Sequence, residues 1–408
     1  MRNNFDDGCF INSFISFAIN KPFLQITLLS FSLSSIFKII QLNPNYKNRV
    51  LGLDIMRSLA IFFVVMGHGG SLLNKANTNF PWIKLIDGVE LFFVLSGFLI
   101  GKILLETLDK EPLLTFRAIT WFWFRRWLRT LPNYYLVLLL NITIVYFGII
   151  KEDFTQFNWR FIFFLQNFSH GFYDFFWESW SLSVEEWFYI LFPLLLYLLF
   201  RLFYKTTQDK KKLFLTATLL CVGVSFFLRA TIASQLKVDE FWLGVNILKV
   251  VIYRFDGIAL GILAAYIKYW HPNFWIKRNS LYFIGGIIIS YFCLYSHWEP
   301  NDFSTKVYKP FIQSIGCFLL LPKFDSIKNG SVIVVKFFTH ISLISYSMYL
   351  LNLAVISEVL NTNFPPQNIL QSLLSYFVYW FLVVVISTLL YKYFEKPIMD
   401  LRNKLLQK

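Results

Sequence analysis

The stretch LDIMRSLAIFFVVMGHGG, residues 53–70, decides the fold class of this chain. It is long and apolar enough to cross a bilayer, yet it contains Arg57 and His68. Burying a fixed charge and an imidazole in a membrane is costly, so such residues usually serve a function or pair with a partner. Eleven positions at about 100° each place both side chains on one helix face, about 16 Å apart along the axis. The segment therefore predicts a membrane helix with a cation toward one leaflet and a titratable group toward the other.

The composition extends this prediction to the whole chain. Of its 408 residues, 56% are hydrophobic and only 15% are charged, whereas soluble proteins carry about 25% charged residues. Apolar runs recur along the sequence, which predicts an all-α polytopic membrane helix bundle of about ten transmembrane helices. We place these spans at residues 51–72, 84–105, 131–150, 182–200, 213–233, 244–267, 280–296, 307–322, 335–357 and 369–391.

The distribution of basic residues predicts the orientation of these spans. We count residues in the outermost five positions of a span with the adjoining loop. With the N-terminus inside, 27 of the 38 Lys and Arg residues then fall in inside segments, 8 fall in outside loops and 3 lie deeper within spans. Such an excess follows the positive-inside rule, so both termini are predicted to be cytoplasmic. The net charge of +14 then reports cytoplasmic loops and anionic lipid headgroups rather than nucleic acid. The predicted location is the cell (inner) membrane, in a multi-pass arrangement.

Three regions are predicted. Residues 1–50 form a cytoplasmic or interfacial N-terminal segment, residues 51–395 the transmembrane domain, and residues 396–408 a short basic cytoplasmic tail. Within the first region, residues 10–41 are apolar but interrupted by polar side chains; we prefer an interfacial helix, and an extra span or hairpin remains open. Residues 116–130 mix Arg with Trp and Phe, which predicts a second interfacial helix.

The four cysteines are scattered, so we predict no metal site and no disulfide framework.

His68 is the principal candidate for chemistry. A neutral imidazole can take a proton from a hydroxyl near neutral pH, although a hydrogen-bonded structural histidine is the alternative. Glu185 and Glu186 open a very apolar span and point about 100° apart on a helix, so we predict that only one of them faces the bundle interior. A buried carboxylate near His68 would hold the imidazole and stabilise its protonated form.

A second set of candidates is basic. Arg126 and Arg129 are three positions apart and share a helix face, and guanidinium groups suit phosphate. Anchoring by the positive-inside rule is the alternative interpretation for both. Arg57 would contact a phosphate-bearing donor deeper in the bundle or balance a carboxylate.

The remaining polar candidates have structural alternatives. Glu90, in the second span, is equally well explained as a structural partner or as a functional group. Ser96 has no adjacent base, so helix packing together with Gly97 and Gly101 is the better interpretation. In the sixth predicted span, two charged residues cannot face each other on one helix, so each is expected to pair elsewhere, and structural ion pairing is favoured over catalysis for Arg254 and Asp256.

Blocks in this order resemble the membrane-bound acyltransferase-3 family. They cover residues 50–400 and read GLDIMRSLAIFFVVMGH (52–68), GVELFFVLSGFLIGKIL (88–104), FRRWLRTLPNYY (124–135), FLQNF (164–168), SWSLSVEEWFYILFPLLL (179–196), RFDGIALG (254–261), ISYSMYLLN (344–352) and FEKPI (394–398). The Arg-x10-His spacing, the Arg-x-x-Arg spacing and the WSLSVEE block together make the resemblance specific.

The resemblance implies ten transmembrane helices and transfer of an acyl group, usually acetyl, from cytosolic acyl-coenzyme A to a hydroxyl of an extracytoplasmic or lipid-linked glycan. It places the family's first-helix pair at Arg57 and His68, and its paired arginines at Arg126 and Arg129. It also places the glutamate after WSLSV at Glu185. Two departures stand out. Glu90 replaces the usual Asp, and Asn352 stands where a histidine is frequent, which puts a proton role there in doubt.

Together these observations predict a mechanism. Arg126 and Arg129 hold the phosphates of acyl-coenzyme A, a co-substrate rather than a resident cofactor, and His68, oriented by a carboxylate such as Glu185, deprotonates the acceptor hydroxyl. A transient acyl-His68 is the open variant. A proton-coupled transporter of an acidic metabolite is the main alternative function, because intramembrane Arg, Glu and His occur there too. The third alternative is a scaffold or sensor in which the charges only pack.

Overall fold

The computed structural model describes residues 42, 49–74, 86–110, 114–172, 175–207 and 209–405, and all of these except Leu42 belong to one compact unit, Pro44–Lys408. Its ten longest helices are α1 Leu51–His68, α2 Gly88–Lys110, α3 Phe116–Tyr146, α4 Ser179–Thr207, α5 Lys210–Gln235, α6 Phe255–Trp270, α7 Asn279–Tyr295, α8 Lys309–Ser326, α9 Val332–Leu351 and α10 Ile369–Leu390. A π-helical segment, Asn352–Glu358, extends α9 into a short helix, Val359–Asn363, and another, Tyr391–Glu395, extends α10 into Lys396–Leu405.

The all-helical prediction is confirmed for the described residues, which contain no strand. A helix lies at each of the ten predicted spans, and seven of them, α1–α5, α9 and α10, are long and apolar enough to cross a membrane. Large apolar side chains such as Ile333, Leu370 and Phe377 point outward and are more than two-thirds exposed, as lipid-facing residues would be. The chain is a multi-pass membrane protein. The number of crossings and the sidedness of the termini stay predictions, and the interfacial helix expected at residues 10–41 lies outside the described residues.

The prediction of a separate interfacial helix at 116–130, followed by a span at 131–150, is wrong. One continuous helix, α3, runs from Phe116 to Tyr146. The hydroxyl of Thr115 accepts the backbone N–H of Ala118 and so caps its start. Pro132 lies inside α3 without ending it. A proline removes one backbone hydrogen bond from a helix, and membrane helices tolerate this loss where neighbouring groups compensate for it.

Two predicted span boundaries also need correction. α1 ends at His68, and a short helix, Gly70–Asn74, follows after a break at Gly69. At this break Gly69 packs against the ring of Tyr379, and the Tyr379 hydroxyl donates to the carbonyl of Val65 at 3.0 Å. The sixth span starts only at Phe255, not at residue 244. A π-helical segment, Gly244–Leu248, and a 3₁₀ turn, Val251–Tyr253, precede it. Asn167 fixes the break between these two segments, because its side chain donates to the carbonyl of Lys249 at 2.7 Å and its own carbonyl accepts the N–H of Val251 at 2.9 Å.

Glycines allow α2 and α6 to approach closely at the centre of the bundle. A Cβ atom on Gly97 would lie 1.9 Å from the carbonyl oxygen of Ile258, and one on Gly261 would lie 2.1 Å from that of Val94. Gly101 faces Ala265 in the same contact. The packing role predicted for Gly97 and Gly101 is confirmed.

Polar contacts fix α1 against α9 on another side of the bundle. Asp54, buried on α1, accepts the hydroxyl of Ser342 at 2.7 Å and that of Thr339 at 3.3 Å. It also forms an ion pair with Arg49, just before the helix. These contacts set the position of α1, and with it the positions of Arg57 and His68.

Candidate active site

Arg57 and His68 lie on one helix but line two different cavities. Arg57 contributes to a small cavity of about 80 Å³ among α1, α2, α3, α4 and α9. His68, the last residue of α1, contributes to a larger cavity of about 730 Å³. The rise of an α-helix separates the two residues by about 16 Å along the axis. Val89, on α2, lines both cavities, so the wall between them is about one side chain thick at that point.

The smaller cavity, which we call the arginine cavity, brings together four of the predicted site residues. Its charged lining consists of Arg57, Arg126, Arg129 and Glu185. Three guanidinium groups face one carboxylate among its described lining residues, so the cavity carries an excess of positive charge. An anion such as a phosphate would balance this excess.

Arg126 is the most firmly held of these arginines. Its Nη2 donates to the Tyr189 hydroxyl at 2.6 Å, and its guanidinium carbon lies 4.1 Å from the centre of the same ring. Nη2 also lies 3.7 Å from Glu185 Oε2. Glu185 accepts the hydroxyl of Ser96 at 2.8 Å through its other oxygen. Ser96 thus joins α2 to α4 through a side-chain hydrogen bond, in addition to the packing role expected for it, and this bond positions the carboxylate next to Arg126.

The prediction that only one of Glu185 and Glu186 faces the protein interior is also wrong. Glu185 lines the arginine cavity, and Glu186 is buried with only 4% of its surface exposed. Glu186 Oε2 has no hydrogen-bond partner among the described residues. Because α4 packs against α3, α5 and α6, a 100° arc of its surface stays within the bundle, and both carboxylates fit inside that arc.

His68 contacts Asn352 rather than a carboxylate at Nδ1. The distance from Nδ1 to Asn352 Oδ1 is 2.6 Å. The Asn352 amide nitrogen donates to the carbonyls of Met348 at 2.9 Å and of Tyr349 at 2.7 Å, which fixes the amide with its oxygen toward the imidazole. Nδ1 of neutral His68 must then carry the proton, and Nε2 is the basic nitrogen. The predicted orientation of His68 by Glu185 is replaced in the structure by this contact with Asn352.

The larger cavity, which we call the acidic cavity, has a different lining. Its charged side chains besides His68 are Asp87, Lys151, Glu152, Glu178, Lys249 and Glu358. Trp177 and Trp180 contribute indole surface. Glu178 is 1% exposed, and burial, followed by the charge of Glu152, raises its pKa to about 8. The Lys249 ammonium lies 3.8 Å from the centre of the Trp177 ring, and burial lowers its pKa to about 7.

Tyr349 connects the walls of the two cavities. It lines the arginine cavity, and its hydroxyl donates to the backbone carbonyl of Glu178, an acidic-cavity residue, at 2.8 Å. Ser181 completes the link, with its hydroxyl 2.5 Å from that of Tyr349. Sequence patterns did not single out Tyr349, Ser181 or Glu178; the WESWSLS stretch that precedes Glu185 was the only available signal for the last two.

The other predicted candidates form buried ion pairs outside both cavities. Glu90 pairs with Arg254 and also accepts the hydroxyl of Ser314 at 2.7 Å. Asp256 pairs with Arg229 at 2.6 Å. Each predicted residue thus has a partner on another element, as expected. The Arg254 guanidinium also lies 5.6 Å from the centre of the Phe93 ring, and Phe93 lines the arginine cavity. The Glu90–Arg254 pair therefore supports one wall of that cavity.

A family model described as an acyltransferase domain matches residues 50–392, which include both cavities. The chain belongs to the acyltransferase-3 family. The resemblance drawn from the sequence motifs is thereby confirmed. In this acyltransferase-3 protein, the match begins just before α1 and ends within the π-helical extension of α10.

Curated relatives of this acyltransferase-3 protein have consistent names. A Staphylococcus aureus (strain COL) protein named "Putative O-acetyltransferase" is 27% identical over 377 residues, which cover 85% of this chain and 56% of the relative. "Putative peptidoglycan O-acetyltransferase YrhL" of Bacillus subtilis is 35% identical over 36% of this chain and 23% of its own. "Peptidoglycan O-acetyltransferase OatA" of Listeria monocytogenes is 34% identical over 35% of this chain and 24% of its own. The chain thus spans just over half the length of the first of these relatives, and no solved structure matches it.

Proposed function

We propose that this protein is a membrane O-acyltransferase that moves an acyl group, in our assignment acetyl, from cytosolic acyl-coenzyme A to a hydroxyl of an extracytoplasmic or lipid-linked glycan. One observation carries the proposal. Two neighbouring cavities lie along α1, with arginines in one, His68 in the other, and Val89 in the wall of both. A two-substrate transfer between a polyanionic donor and a hydroxyl acceptor requires such a pair of neighbouring sites.

The arginine cavity suits the donor. Arg126 and Arg129 on α3 offer planar guanidinium groups of the kind that bind phosphate, and Arg57 extends the positive charge toward α1. A volume of about 80 Å³ accommodates the thin thioester end of the donor but not its nucleotide. The phosphates would therefore be held at the mouth of this cavity, with the acyl end directed at the wall formed by Val89.

The acidic cavity suits the acceptor. There His68 Nε2 takes the proton of the acceptor hydroxyl as the hydroxyl oxygen attacks the thioester carbonyl carbon. The new C–O ester bond forms, the C–S bond breaks, and the imidazolium returns the proton to the departing thiolate. In the variant that remains open, Nε2 itself carries the acyl group before the acceptor arrives. Asn352 holds the required tautomer in both versions.

The membrane arrangement of the proposal follows from the basic residues. We place ten helices across the cell membrane with both termini in the cytosol, since 27 of the 38 Lys and Arg residues then lie in inside segments or at the inner ends of the spans. Arg126 and Arg129 lie toward the cytosolic end of this arrangement, where a coenzyme A thioester is available. The names of the relatives support an envelope glycan, including peptidoglycan, as the acceptor.

The test uses purified protein reconstituted in vesicles with radiolabelled acetyl-coenzyme A on one side and cell-wall glycan on the other. We expect label in the glycan, and loss of at least about a hundredfold in rate for His68→Ala. A near wild-type rate for His68→Ala would overturn both versions of the mechanism. Solute flux without thioester cleavage would instead favour the transporter. If neither acyl transfer nor solute flux were observed, the third alternative, a scaffold or sensor, would be favoured.

A further inference from the structure

The helix at the end of the α10 extension, Lys396–Leu405, packs against α3; we call it the tail helix. Its residue Arg402 donates through Nη1 to the backbone carbonyl of Arg125 at 3.2 Å. In a regular α-helix this carbonyl also accepts the N–H of the residue four positions later, here Arg129. The Arg402 guanidinium thus lies beside the turn of α3 that carries Arg126 and Arg129, two arginines of the arginine cavity.

Arg402 keeps hydrogen-bond donors that the protein does not use. A guanidinium has five N–H groups. Nε and Nη2 of Arg402 both donate to Asn403 Oδ1, at 3.2 and 2.9 Å, and Nη1 donates once to Arg125. Two N–H groups therefore have no partner among the described residues. In the same part of the chain no carboxylate forms an ion pair with Arg402, and Asp400, two positions away, pairs with Lys396.

Arg129, in the lining of the arginine cavity, also has unused donors. Its guanidinium makes no hydrogen bond and no close ion pair within the residues that the structure describes. The carboxylate of Glu395 supplies negative charge nearby. Oε2 of this carboxylate already accepts the Asn133 amide at 2.7 Å and the Ser347 hydroxyl at 2.9 Å. The Arg129 donors are therefore available to a ligand.

The arginines at this position repel one another. The charge of Arg402 interacts unfavourably with those of Arg126 and Arg129. Holding like charges close together costs free energy, and an anion between them reverses the sign of that cost. A phosphate group has the charge to do this and the oxygens to accept the unused N–H groups.

We propose that Arg402 is a further phosphate-binding residue, which extends the donor site from the arginine cavity onto the tail helix. This inference rests on the proposed function and specifies how the donor is held. A cavity of about 80 Å³ has no room for the nucleotide of acyl-coenzyme A, so its phosphates need a site outside the cavity. Arg402 supplies a cation there from a helix beyond residues 50–392, which the family model matches.

Two donors with the same thioester end test the proposal by binding alone. Acetyl-coenzyme A carries the nucleotide and its phosphates, and acetylpantetheine lacks both. Dissociation constants are measured on the full chain in nanodiscs of zwitterionic lipid. We expect Arg402→Gln to weaken the binding of acetyl-coenzyme A roughly three- to tenfold and to leave that of acetylpantetheine unchanged. An unchanged constant for acetyl-coenzyme A in this variant, or equal affinities of the wild type for the two donors, would overturn the proposal.

Lys404 provides a matched control on the tail helix. It is exposed, and two helical positions place it about 200° around the axis from Arg402. Lys404→Gln removes the same charge and should change the dissociation constant of acetyl-coenzyme A less than about twofold. Arg402→Lys keeps the charge without the planar fork and should lie between the wild type and Arg402→Gln. Equal weakening of both donors in Arg402→Gln would assign Arg402 to the docking of the tail helix alone and would overturn the proposal.

Nanodiscs with anionic phosphatidylglycerol distinguish the donor from lipid headgroups, which offer the same phosphate chemistry. If a headgroup occupies this position, anionic lipid should raise the thermal stability of the wild type but not that of Arg402→Gln, and donor binding should not depend on Arg402. That result would overturn the assignment to the donor.

The binding measurements also separate this inference from the proposed function, because they need no turnover. Donor binding that depends on Arg402, without acyl transfer to any glycan, would support the phosphate site and refute the proposed function. Acyl transfer with the same KM for acetyl-coenzyme A in the wild type and Arg402→Gln would support the proposed function and refute the phosphate site.

Discussion

Asn352 determines which nitrogen of His68 carries the proton. Its amide nitrogen is committed to the carbonyls of Met348 and Tyr349, so only its oxygen is available to the imidazole, at 2.6 Å from Nδ1. The basic nitrogen of His68 is therefore Nε2. A residue on the π-helical extension of α9 thus sets the chemistry of the last residue of α1.

Asn352→Ala should lower kcat roughly tenfold to a hundredfold, because the imidazole loses its fixed tautomer and orientation. The KM for acyl-coenzyme A should change little, since the arginine cavity is untouched. Asn352→Asp keeps an oxygen acceptor and should retain clearly more activity than the alanine variant. Steady-state kinetics in vesicles measure both parameters. Equal losses in the two variants would argue against orientation as the role of Asn352.

Under the proposed function, Arg126→Gln should raise the KM for acyl-coenzyme A by roughly tenfold or more, because a guanidinium held by Tyr189 and Glu185 is lost from the arginine cavity. Arg125 provides a matched control on the same helix. Its side chain is exposed and does not line the arginine cavity, so Arg125→Gln should change the KM less than twofold. If both variants raised the KM equally, general surface charge rather than the cavity would attract the donor.

Gly97→Ala should destabilise the fold by about 3 kcal/mol, since its methyl group would lie 1.9 Å from the carbonyl oxygen of Ile258. Gly223, on α5, has space for a methyl group, because no atom of the described residues lies within 4 Å of the position that its Cβ would occupy. Gly223→Ala should therefore leave stability unchanged or raise it by about 0.5–1 kcal/mol. Thermal unfolding in detergent compares the two. A tolerated Gly97→Ala would mean that α2 and α6 separate easily.

Glu178 should make the protein less stable as the pH rises from about 5 to about 8. Its pKa is raised from 4.5 to about 8 by burial and by the nearby carboxylates Glu152 and Glu358, against the opposing effect of the Ala354 N–H. Between these values the folded state keeps a proton that the unfolded state releases, so stability is lost as the pH rises. Glu178→Gln should remove this pH dependence. The stability of the variant relative to the wild type should therefore increase toward pH 8. Parallel unfolding curves of the two proteins across this range would contradict the assignment.

The helices were predictable because a bilayer imposes long apolar segments that are visible in the sequence, and a helix lies at each of the ten predicted positions. Their ends were less predictable. Asn167 fixes the break in the helical chain at Lys249, before α6, and Tyr379 holds the end of α1. Both contacts come from distant parts of the chain. Sequence patterns cannot show such partners.

Within the site, too, features set by local spacing were predictable, whereas contacts with distant parts of the chain were not. The Arg-x-x-Arg spacing identified two residues that do line one cavity, because i, i+3 neighbours share a helix face. The Nδ1 partner of His68 is Asn352 rather than the predicted Glu185, and this depends on how the extension of α9 packs against α1. That Glu90 and Arg254 would need partners followed from the cost of burial, but that they partner each other depended on the fold.

The wall shared by the two cavities has a consequence for the membrane itself. In the proposed arrangement one polar cavity opens toward each side of the membrane, and a connection between them would collapse the ion gradients of the cell. At Val89 the barrier is apolar. Beside it, the Tyr349 hydroxyl is hydrogen-bonded to the Glu178 carbonyl and to the Ser181 hydroxyl. These two hydroxyls therefore have protein partners and do not require a chain of water molecules. In the proposed reaction only a thioester end would have to pass this barrier. The enzyme would then carry acyl groups across an electrically insulating layer without becoming a conductor.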